Sequence, residues 1–165
     1  MKKIDLKTAK INPISLIGEE WMLITAGNSL KYNMMTASWG FMGFMWNKPC
    51  VQIGVRPQRY TMEFLEKEDY FTLTFFGNNK DVHTVCGKKS GRDIDKTKEC
   101  NLTPQVHSTG SIYFKEARMV FVCKKLYTDK LKANNFIDKN LIEKNYPNND
   151  FHNMITAEIV DAFEL

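Results

Sequence analysis

Residues 33–40 read NMMTASWG, an uncharged stretch in which small hydroxyl residues stand between methionines and a tryptophan. A core strand would repeat Val, Ile or Leu, and a surface loop would carry charge. If the stretch is a strand, Thr36 and Ser38 point to one face and Ala37 to the other. A flat ligand could then approach the backbone closely, with Trp39 as a wall. A tight crossing of barrel strands explains the same residues equally well, so the stretch alone leaves both interpretations open.

Other segments with strand character lie on both sides of this stretch. The clearest are EEWMLITA (19–26), PCVQIGV (49–55), DYFTLTFF (69–76), ARMVFVCKKLY (117–127) and MITAEIVDAF (154–163). They are rich in Val, Ile, Phe, Tyr and Thr, and no regular crossover helices separate them. The pattern therefore favours a mainly β antiparallel barrel with a few short flanking helices over a doubly wound parallel sheet. At 165 residues, the chain is expected to form one domain, residues 1–165.

Apolar periodicity predicts three short helices, at residues 59–68, 79–88 and 134–145. Asn78 or Asn79 is a candidate N-cap for the second helix. The third helix would present one apolar face, made by Phe136, Ile137, Leu141 and Ile142.

Composition limits the classes of function. The net charge of +4 and the pI of 8.8 fall short of a dedicated nucleic-acid-binding domain, for which a pI above about 9 is expected. Four cysteines without a CxxC pair predict reduced thiols in a cytoplasmic protein, and three dispersed histidines predict no metal site. We expect no signal peptide at the lysine-rich N-terminus and no membrane span, because no apolar run approaches about 20 residues.

The segment VRPQRYT (55–61) follows a predicted strand and begins a predicted helix. Arg56 and Arg59 offer planar cationic groups suited to phosphate oxygens, and Tyr60 and Thr61 add hydroxyl donors. The start of a helix also presents free N–H groups. We favour an anion site here over a solvated turn with ion pairs to Glu63 or Glu66.

A second basic segment is CGKKSGRDIDK (86–96). Its lysines and Arg92 surround Ser90 and Gly91, so the loop could close over a charged ligand. A solvated charged face is at least as good an explanation. The chain has no G-x-G-x-x-G motif, no P-loop and no catalytic triad, so any redox or transfer chemistry would belong to a bound cofactor.

In this order along the chain, NMMTASWG, RPQRYT, YFTLTFF, CGKKSGRDIDK, LTP (102–104), EARMVFVCKKLY and EIVDAF resemble the flavin reductase-like family, and most of all its flavoredoxin branch. The resemblance runs from about Trp21 to Phe163. It implies a Greek-key FMN-binding split barrel, usually a homodimer with FMN near the subunit interface. It also implies non-covalent FMN and electron transfer from NAD(P)H or a redox protein.

The resemblance also assigns site residues. Asn33, Met35, Thr36, Ala37, Ser38 and Trp39 would line the isoalloxazine ring and ribityl chain. The phosphate would be held by Arg56, Arg59, Tyr60 and Thr61. Further cofactor contacts would come from Phe76, Gly77, Ser90, Gly91, Arg92 and Lys96.

One departure from the family pattern lies in HNMITAEIV (152–160), where Thr156 and Ala157 replace an apolar residue and a glycine. His152, which in some relatives lies close to where the nicotinamide or substrate stacks, is retained. It is a candidate substrate-side residue, and a satisfied barrel histidine is the alternative. The added methyl group of Ala157 would narrow the substrate space or shift the strand.

These observations favour a flavin-dependent oxidoreductase. One alternative is a flavin-binding module without turnover, such as a sensor or store. A single-stranded nucleic-acid-binding barrel is a weaker alternative, because the basic residues cluster in two loops and do not follow a groove. The electron donor and acceptor are not encoded in any recognisable motif.

Overall fold

A computed structural model describes all 165 residues. Its strands are β1 (Lys2–Lys3), β2 (Met22–Gly27), β3 (Tyr32–Ala37), β4 (Gly40–Met45), β5 (Lys48–Val55), β6 (Tyr70–Phe75), β7 (Pro104–Val106), β8 (Ile112–Phe114), β9 (Met119–Lys130) and β10 (Asn153–Glu164). Its α-helices are α1 (Pro13–Ser15), α2 (Tyr60–Lys67), α3 (Lys80–Lys88), α4 (Lys96–Glu99) and α5 (Asn140–Asn145). A π-helical turn (Leu16–Glu20) extends α1, and a 3₁₀ turn covers Ala133–Asn135.

Eight strands form one antiparallel sheet in the order β3-β2-β6-β9-β10-β5-β4, with β1 added to β10, while β7 and β8 form a separate hairpin. The prediction of a mainly antiparallel β fold with few short helices is confirmed. The inner face of the sheet encloses the larger core cluster, which includes Ile24, Ile53, Phe121 and Ile155. The strand order is nonsequential, as in Greek-key folds, because the C-terminal strand β10 lies between β9 and β5.

The opening stretch NMMTASWG divides between three structural states. Strand β3 ends at Ala37. Ser38 and Trp39 then form a short connection, and β4 begins at Gly40. Met35 and Ala37 join the core inside the sheet, whereas Thr36 turns outward and its Oγ1 donates to the carbonyl of His83 on α3 at 2.8 Å. The predicted strand is therefore shorter than expected.

Two helix predictions are confirmed and the third is wrong in its first half. Helices α2 and α3 occupy the predicted segments, and the Asn79 side chain caps α3 by accepting from the amide of Asp81 at 3.3 Å. In the third segment only α5 is α-helical, and it buries no residue. Ile137 is 97% exposed, so the expected apolar face does not form. None of the helices has both the length and the apolar character that a membrane crossing requires.

Candidate functional site

Two adjacent cavities lie at the ends of β3 and β5, and they share Arg59. The first, which we call the cationic pocket, has a volume of about 170 Å³. It is bounded by β3, the start of α2 and the loop after α3. Its lining residues are Asn33, Gln58, Arg59, Tyr60, Thr61, Gly87, Lys88, Lys89, Ser90, Gly91 and Lys96.

Two cationic side chains of this pocket, Lys96 and Arg59, are withdrawn from solvent and have no acidic partner. Lys96 is 4% exposed, and its Nζ donates to the carbonyls of Met34 at 2.8 Å and Cys86 at 3.1 Å. Arg59 Nη2 donates to the same Cys86 carbonyl at 3.2 Å. Neither forms an ion pair. Burial lowers the pKa of both groups, because the charged form has lost solvent. An anion placed here would neutralise two poorly compensated charges.

Backbone donors complete the anion-binding character of the cationic pocket. The N–H groups of Tyr60 and Thr61 open α2 and have no acceptor within the chain. Free N–H groups and the positive end of the helix dipole both favour an anion. A tight packing contact shapes the opposite wall: a Cβ on Gly91 would lie 1.9 Å from Asn33 Oδ1, so only glycine fits. Asn33 in turn donates to Thr61 Oγ1 at 2.8 Å.

The second cavity, which we call the split pocket, also measures about 170 Å³ and lies where the ends of β3 and β5 separate. Its lining residues are Met35, Thr36, Ala37, Ser38, Trp39, Gly54, Arg56, Arg59 and His152. The first five come from the opening stretch of the sequence. Small residues on the two strands therefore leave a gap in the barrel wall, and Trp39, which is 50% exposed, borders it.

Arg56 lies at the split pocket, not at the cationic pocket where the sequence placed it. Its Nη1 donates to Asp150 Oδ2 at 2.5 Å, its Nη2 donates to the Asn145 carbonyl at 2.8 Å, and its guanidinium carbon lies 5.2 Å from the ring centroid of Tyr146. Because Asp150 already compensates its charge, Arg56 contributes less to anion binding than Arg59. It fastens the 145–150 loop beside the split pocket.

His152 is held at the split pocket by two aromatic neighbours. Its Nδ1 lies 2.8 Å from the Tyr146 hydroxyl, and its ring centroid lies 5.3 Å from that of Trp39. Burial, and next the nearby charge of Arg56, lower the pKa of His152 to about 4. The imidazole is therefore neutral at pH 7. A neutral ring can donate from one nitrogen and accept at the other without a change in charge.

The two buried histidines, His152 and His83, predict that the folded protein loses stability in mild acid. Burial also lowers the pKa of His83 to about 4, whereas an unfolded histidine titrates near 6.5. Between pH 7 and pH 5 the two histidines become protonated in the unfolded chain but stay neutral in the folded chain. The free energy of unfolding should therefore fall by roughly 1 to 2 kcal/mol per histidine. Urea denaturation at the two pH values measures this drop. We expect a smaller drop for His152→Gln; equal stability of the unmodified protein at pH 7 and pH 5 would contradict the prediction.

Three of the predicted site residues lie outside both pockets. Phe76 packs edge-on against His83 in the second core cluster, with 5.9 Å between ring centroids. Gly77 has a φ of +63°, and its amide donates to Glu20 Oε1 at 2.6 Å, at the edge of a separate 600 Å³ cleft near the N-terminus. Arg92 pairs with Glu63 and covers the ring of Tyr60 at 4.4 Å. Each is fixed by a partner that the sequence pattern did not reveal.

The replacement of the family's apolar-glycine pair does not reach either pocket. Ala157 is completely buried in the barrel core, at a register shift between β10 and β9. Thr156 Oγ1 accepts from Gln52 Nε2 at 2.9 Å on the neighbouring strand. The added methyl group therefore fills core space, and the expected narrowing of the substrate side is not found at these pockets.

Several pocket residues were missed by the sequence reasoning. Gly54 lines the split pocket and lies close to His152, since a Cβ at this position would lie 3.3 Å from His152 Cδ2. An isolated glycine inside a predicted strand is a signal for such a close approach. Tyr146 had no signal, since its role depends on a loop folding back onto β10. Gln58 and Gly87 were also missed, whereas Lys88 and Lys89 belong to the basic segment 86–96, which was considered able to close over a charged ligand.

Comparison with known proteins places these features in a family. The family model for the flavin reductase like domain matches residues 15–164. No curated protein matches the chain. Flavoredoxin from Methanosarcina acetivorans is similar in structure, with a TM-score of 0.68, 20% sequence identity and coverage of 100% of this chain and 76% of the other.

Two further solved structures are similar at comparable levels. The FMN-binding protein from Thermus thermophilus with bound p-hydroxybenzaldehyde has a TM-score of 0.68, 18% identity and coverage of 100% and 82% of the two chains. The NADH:FAD oxidoreductase SgcE6 of Streptomyces globisporus C-1027 has a TM-score of 0.66, 14% identity and coverage of 88% and 75% of the two chains. At these identities the likeness concerns the fold. Because the family match includes both pockets and every strand from β2 to β10, this chain belongs to the flavin reductase-like domain family.

Proposed function

We propose that this protein binds FMN non-covalently and transfers electrons through it, with NAD(P)H or a reduced redox protein as the donor. The observation that carries the proposal is a pair of cations, the buried Lys96 and the partly buried Arg59, that face one small cavity without an acidic partner. A phosphate monoester supplies the missing negative charge. The adjoining split pocket then accounts for the rest of the cofactor.

The two pockets suit the two ends of a flavin mononucleotide. The phosphate would accept from Arg59, Lys96 and the N–H groups of Tyr60 and Thr61 in the cationic pocket. The ring would enter the split pocket, where small side chains give access to backbone groups and Trp39 provides an aromatic border. Arg59 lies at both cavities and so at the junction of tail and ring. When bound, the flavin supplies the redox chemistry, and the chain's own groups hold, orient and shield it.

We favour FMN over FAD because of the groups that line the cationic pocket. The pocket is about 170 Å³ and is bounded by the Ser90–Gly91 loop and the start of α2. Two cations and two free amides suit a terminal monophosphate with its double negative charge. One solved structure with this fold is an NADH:FAD oxidoreductase, so the binding experiment must test both FMN and FAD.

His152 and Tyr146 are the groups placed to serve the reacting face. Their 2.8 Å hydrogen bond fixes the imidazole orientation at the split pocket. With a pKa lowered to about 4 by burial, the ring stays neutral and can share a proton without adding positive charge beside the flavin. The pair would therefore orient a substrate or the ring edge by hydrogen bonding.

One anaerobic experiment tests the function. The protein is purified, supplied with FMN or FAD, freed of unbound cofactor and scanned for flavin absorbance, and then mixed with NADH, NADPH or a reduced ferredoxin-type protein. Bound FMN that bleaches with one of these donors supports the proposal. Bound FMN that bleaches with none of them indicates a flavin-binding module without turnover. A preparation that stays colourless after incubation with excess FMN would overturn the cofactor assignment.

We also propose a homodimer formed through β4. This strand pairs only with β5 and leaves large apolar side chains exposed. Phe41 is 68% exposed and Phe44 is 67% exposed, and Trp46 in the adjoining turn is half exposed. A monomer seldom leaves such a patch uncovered. Since Trp39 borders both the patch and the split pocket, a second copy would cover the open side of the ring site.

Phe41→Glu should convert the dimer to a monomer. A charge at the centre of an apolar interface is costly to desolvate, and the side chain is too exposed to support the barrel core. Sedimentation equilibrium should show a mass near 19.2 kDa for the variant and twice that for the unmodified protein. Leu30→Glu, at a 94% exposed turn position away from β4, is the matched control and should stay dimeric. An unmodified protein that sediments as a monomer would contradict the dimer.

A further inference from the structure

Two cysteines that are 14 residues apart in the chain meet beside the cationic pocket. Cys86 lies in the last turn of α3, and Cys100 caps the C-terminus of α4. Their sulfur atoms are 3.9 Å apart. The sequence shows no paired-cysteine motif here, because the contact arises from the packing of α3 against α4. Both are free thiols.

The two thiols differ in access. Cys86 is completely buried, whereas Cys100 is partly exposed. A small oxidant can therefore reach the Cys100 side chain from solvent, whereas the Cys86 side chain is shielded by the protein. The two remaining cysteines, Cys50 and Cys123, are buried in strands of the large sheet and lack this arrangement.

The thiol pair is connected to the anion site through the backbone. The Cys86 carbonyl accepts from both Arg59 and Lys96, the two cations of the cationic pocket that lack an acidic partner and are withdrawn from solvent. Lys96 also begins the short helix that Cys100 ends. A disulfide bond is about 2.05 Å long, so at least one sulfur must move to close the 3.9 Å gap. Because Cys86 belongs to α3 and Cys100 caps α4, a shift of either helix that accompanies the bond would displace Lys96 or the Cys86 carbonyl that holds it.

We propose that Cys86 and Cys100 form a reversible disulfide and that this bond weakens anion binding at the cationic pocket; the second part rests on the proposed function. The oxidant is hydrogen peroxide, a product of reduced flavins and dioxygen. The Cys100 thiolate attacks one peroxide oxygen, giving a sulfenic acid and water. The Cys86 sulfur then attacks the Cys100 sulfur, the S–S bond forms and a second water leaves. Two thiols are oxidised and one peroxide is reduced to two waters.

The reaction should be slow at neutral pH and accelerate in base. Burial raises the pKa of both thiols, that of Cys86 to about 12, so little thiolate is present at pH 7. The cross-link is therefore a response to sustained peroxide and not to a brief exposure. Its rate should rise between pH 7 and pH 9.

Mass spectrometry and a flavin titration test the two parts separately. The full-length protein is treated with hydrogen peroxide at pH 8.5, digested without reductant and searched for a Cys86–Cys100 cross-linked peptide. FMN affinity is then measured for the reduced and oxidised forms by quenching of flavin fluorescence. We expect a cross-link and a loss of affinity of about tenfold or more, reversed by dithiothreitol. Cys100→Ser should keep its affinity after the same treatment, and Cys50→Ser should lose it like the unmodified protein.

The possible results can be told apart. Failure to find the cross-link, or a cross-linked protein that binds FMN as tightly as the reduced one, overturns the inference. An equal loss of affinity in Cys100→Ser would trace the effect to other oxidation and overturn it as well. A reduced protein that binds no FMN contradicts the proposed function instead, and the peptide analysis still decides whether the two thiols couple.

Discussion

Arg59→Ala should raise the Kd for FMN by about 100-fold or more while the barrel stays folded. The variant removes a guanidinium that faces both pockets and that no carboxylate in the chain neutralises. Charge-assisted hydrogen bonds to phosphate are among the strongest polar contacts, and in a partly buried site solvent replaces them only incompletely. Fluorescence titration gives the Kd, and circular dichroism reports whether the fold is retained.

Arg92→Ala is the matched control for this variant. Arg92 belongs to the same basic surroundings but pairs with Glu63 on the outside of α2. Exposed ion pairs of this kind contribute about 1 kcal/mol or less, so the Kd should change by less than about fivefold. Equal losses of affinity in the two variants would mean that general positive charge, and not the cationic pocket, binds the cofactor.

Lys96→Met should affect stability and binding in opposite directions. Methionine has a similar length and no charge, so the variant removes a buried ammonium group that has only carbonyl partners. Replacing a poorly compensated buried charge with an apolar side chain of similar volume is commonly neutral or stabilising. We expect the free energy of unfolding without flavin to stay equal or rise by up to about 2 kcal/mol. The Kd for FMN should rise about 100-fold.

Urea denaturation without flavin and fluorescence titration with FMN measure these two effects on the same preparation. A clear loss of stability in Lys96→Met would show that the ammonium group serves the fold, through its bonds to Met34 and Cys86. Unchanged FMN binding would show that it does not face the phosphate. Lys98→Met, whose side chain is exposed and lies outside both pockets, controls for the loss of a lysine.

Local sequence patterns predicted several of the strands correctly. Alternating and β-branched residues predicted β5, β6, β9 and β10 because their side chains pack on both sides of a sheet. The segment GFMGFM, which is β4, was missed: Phe41, Phe44 and Met45 are exposed, only Met42 packs against the core, and the apolar residues do not alternate with polar ones. The region after residue 130 was also predicted poorly. There the apolar residues at 136, 137, 141 and 142 follow helical spacing, but Phe136 packs against the rings of Tyr146 and Phe151 from outside any α-helix, and Ile137 points to solvent.

The site was predictable where its residues are contiguous in the chain and not where folding assembles it. NMMTASWG supplied five residues of the split pocket, and RYT supplied the start of α2. The pairing of Arg56 with Asp150 could not be predicted, because 94 residues separate them. The same holds for Tyr146 beside His152, which depends on how the loop before β10 folds back. The sequence shows where basic residues cluster, but only the structure shows which of them form no ion pair with a carboxylate.

The uncompensated charges of Arg59 and Lys96 have a consequence for the life of the protein in a cell. A ligand that binds only the folded chain stabilises it in proportion to its concentration relative to Kd. The chain without coenzyme bears the full electrostatic penalty and so unfolds more often, and unfolded molecules are the ones that proteases remove. On the proposed function, the abundance of this protein should therefore follow the supply of the vitamin from which the flavin is made.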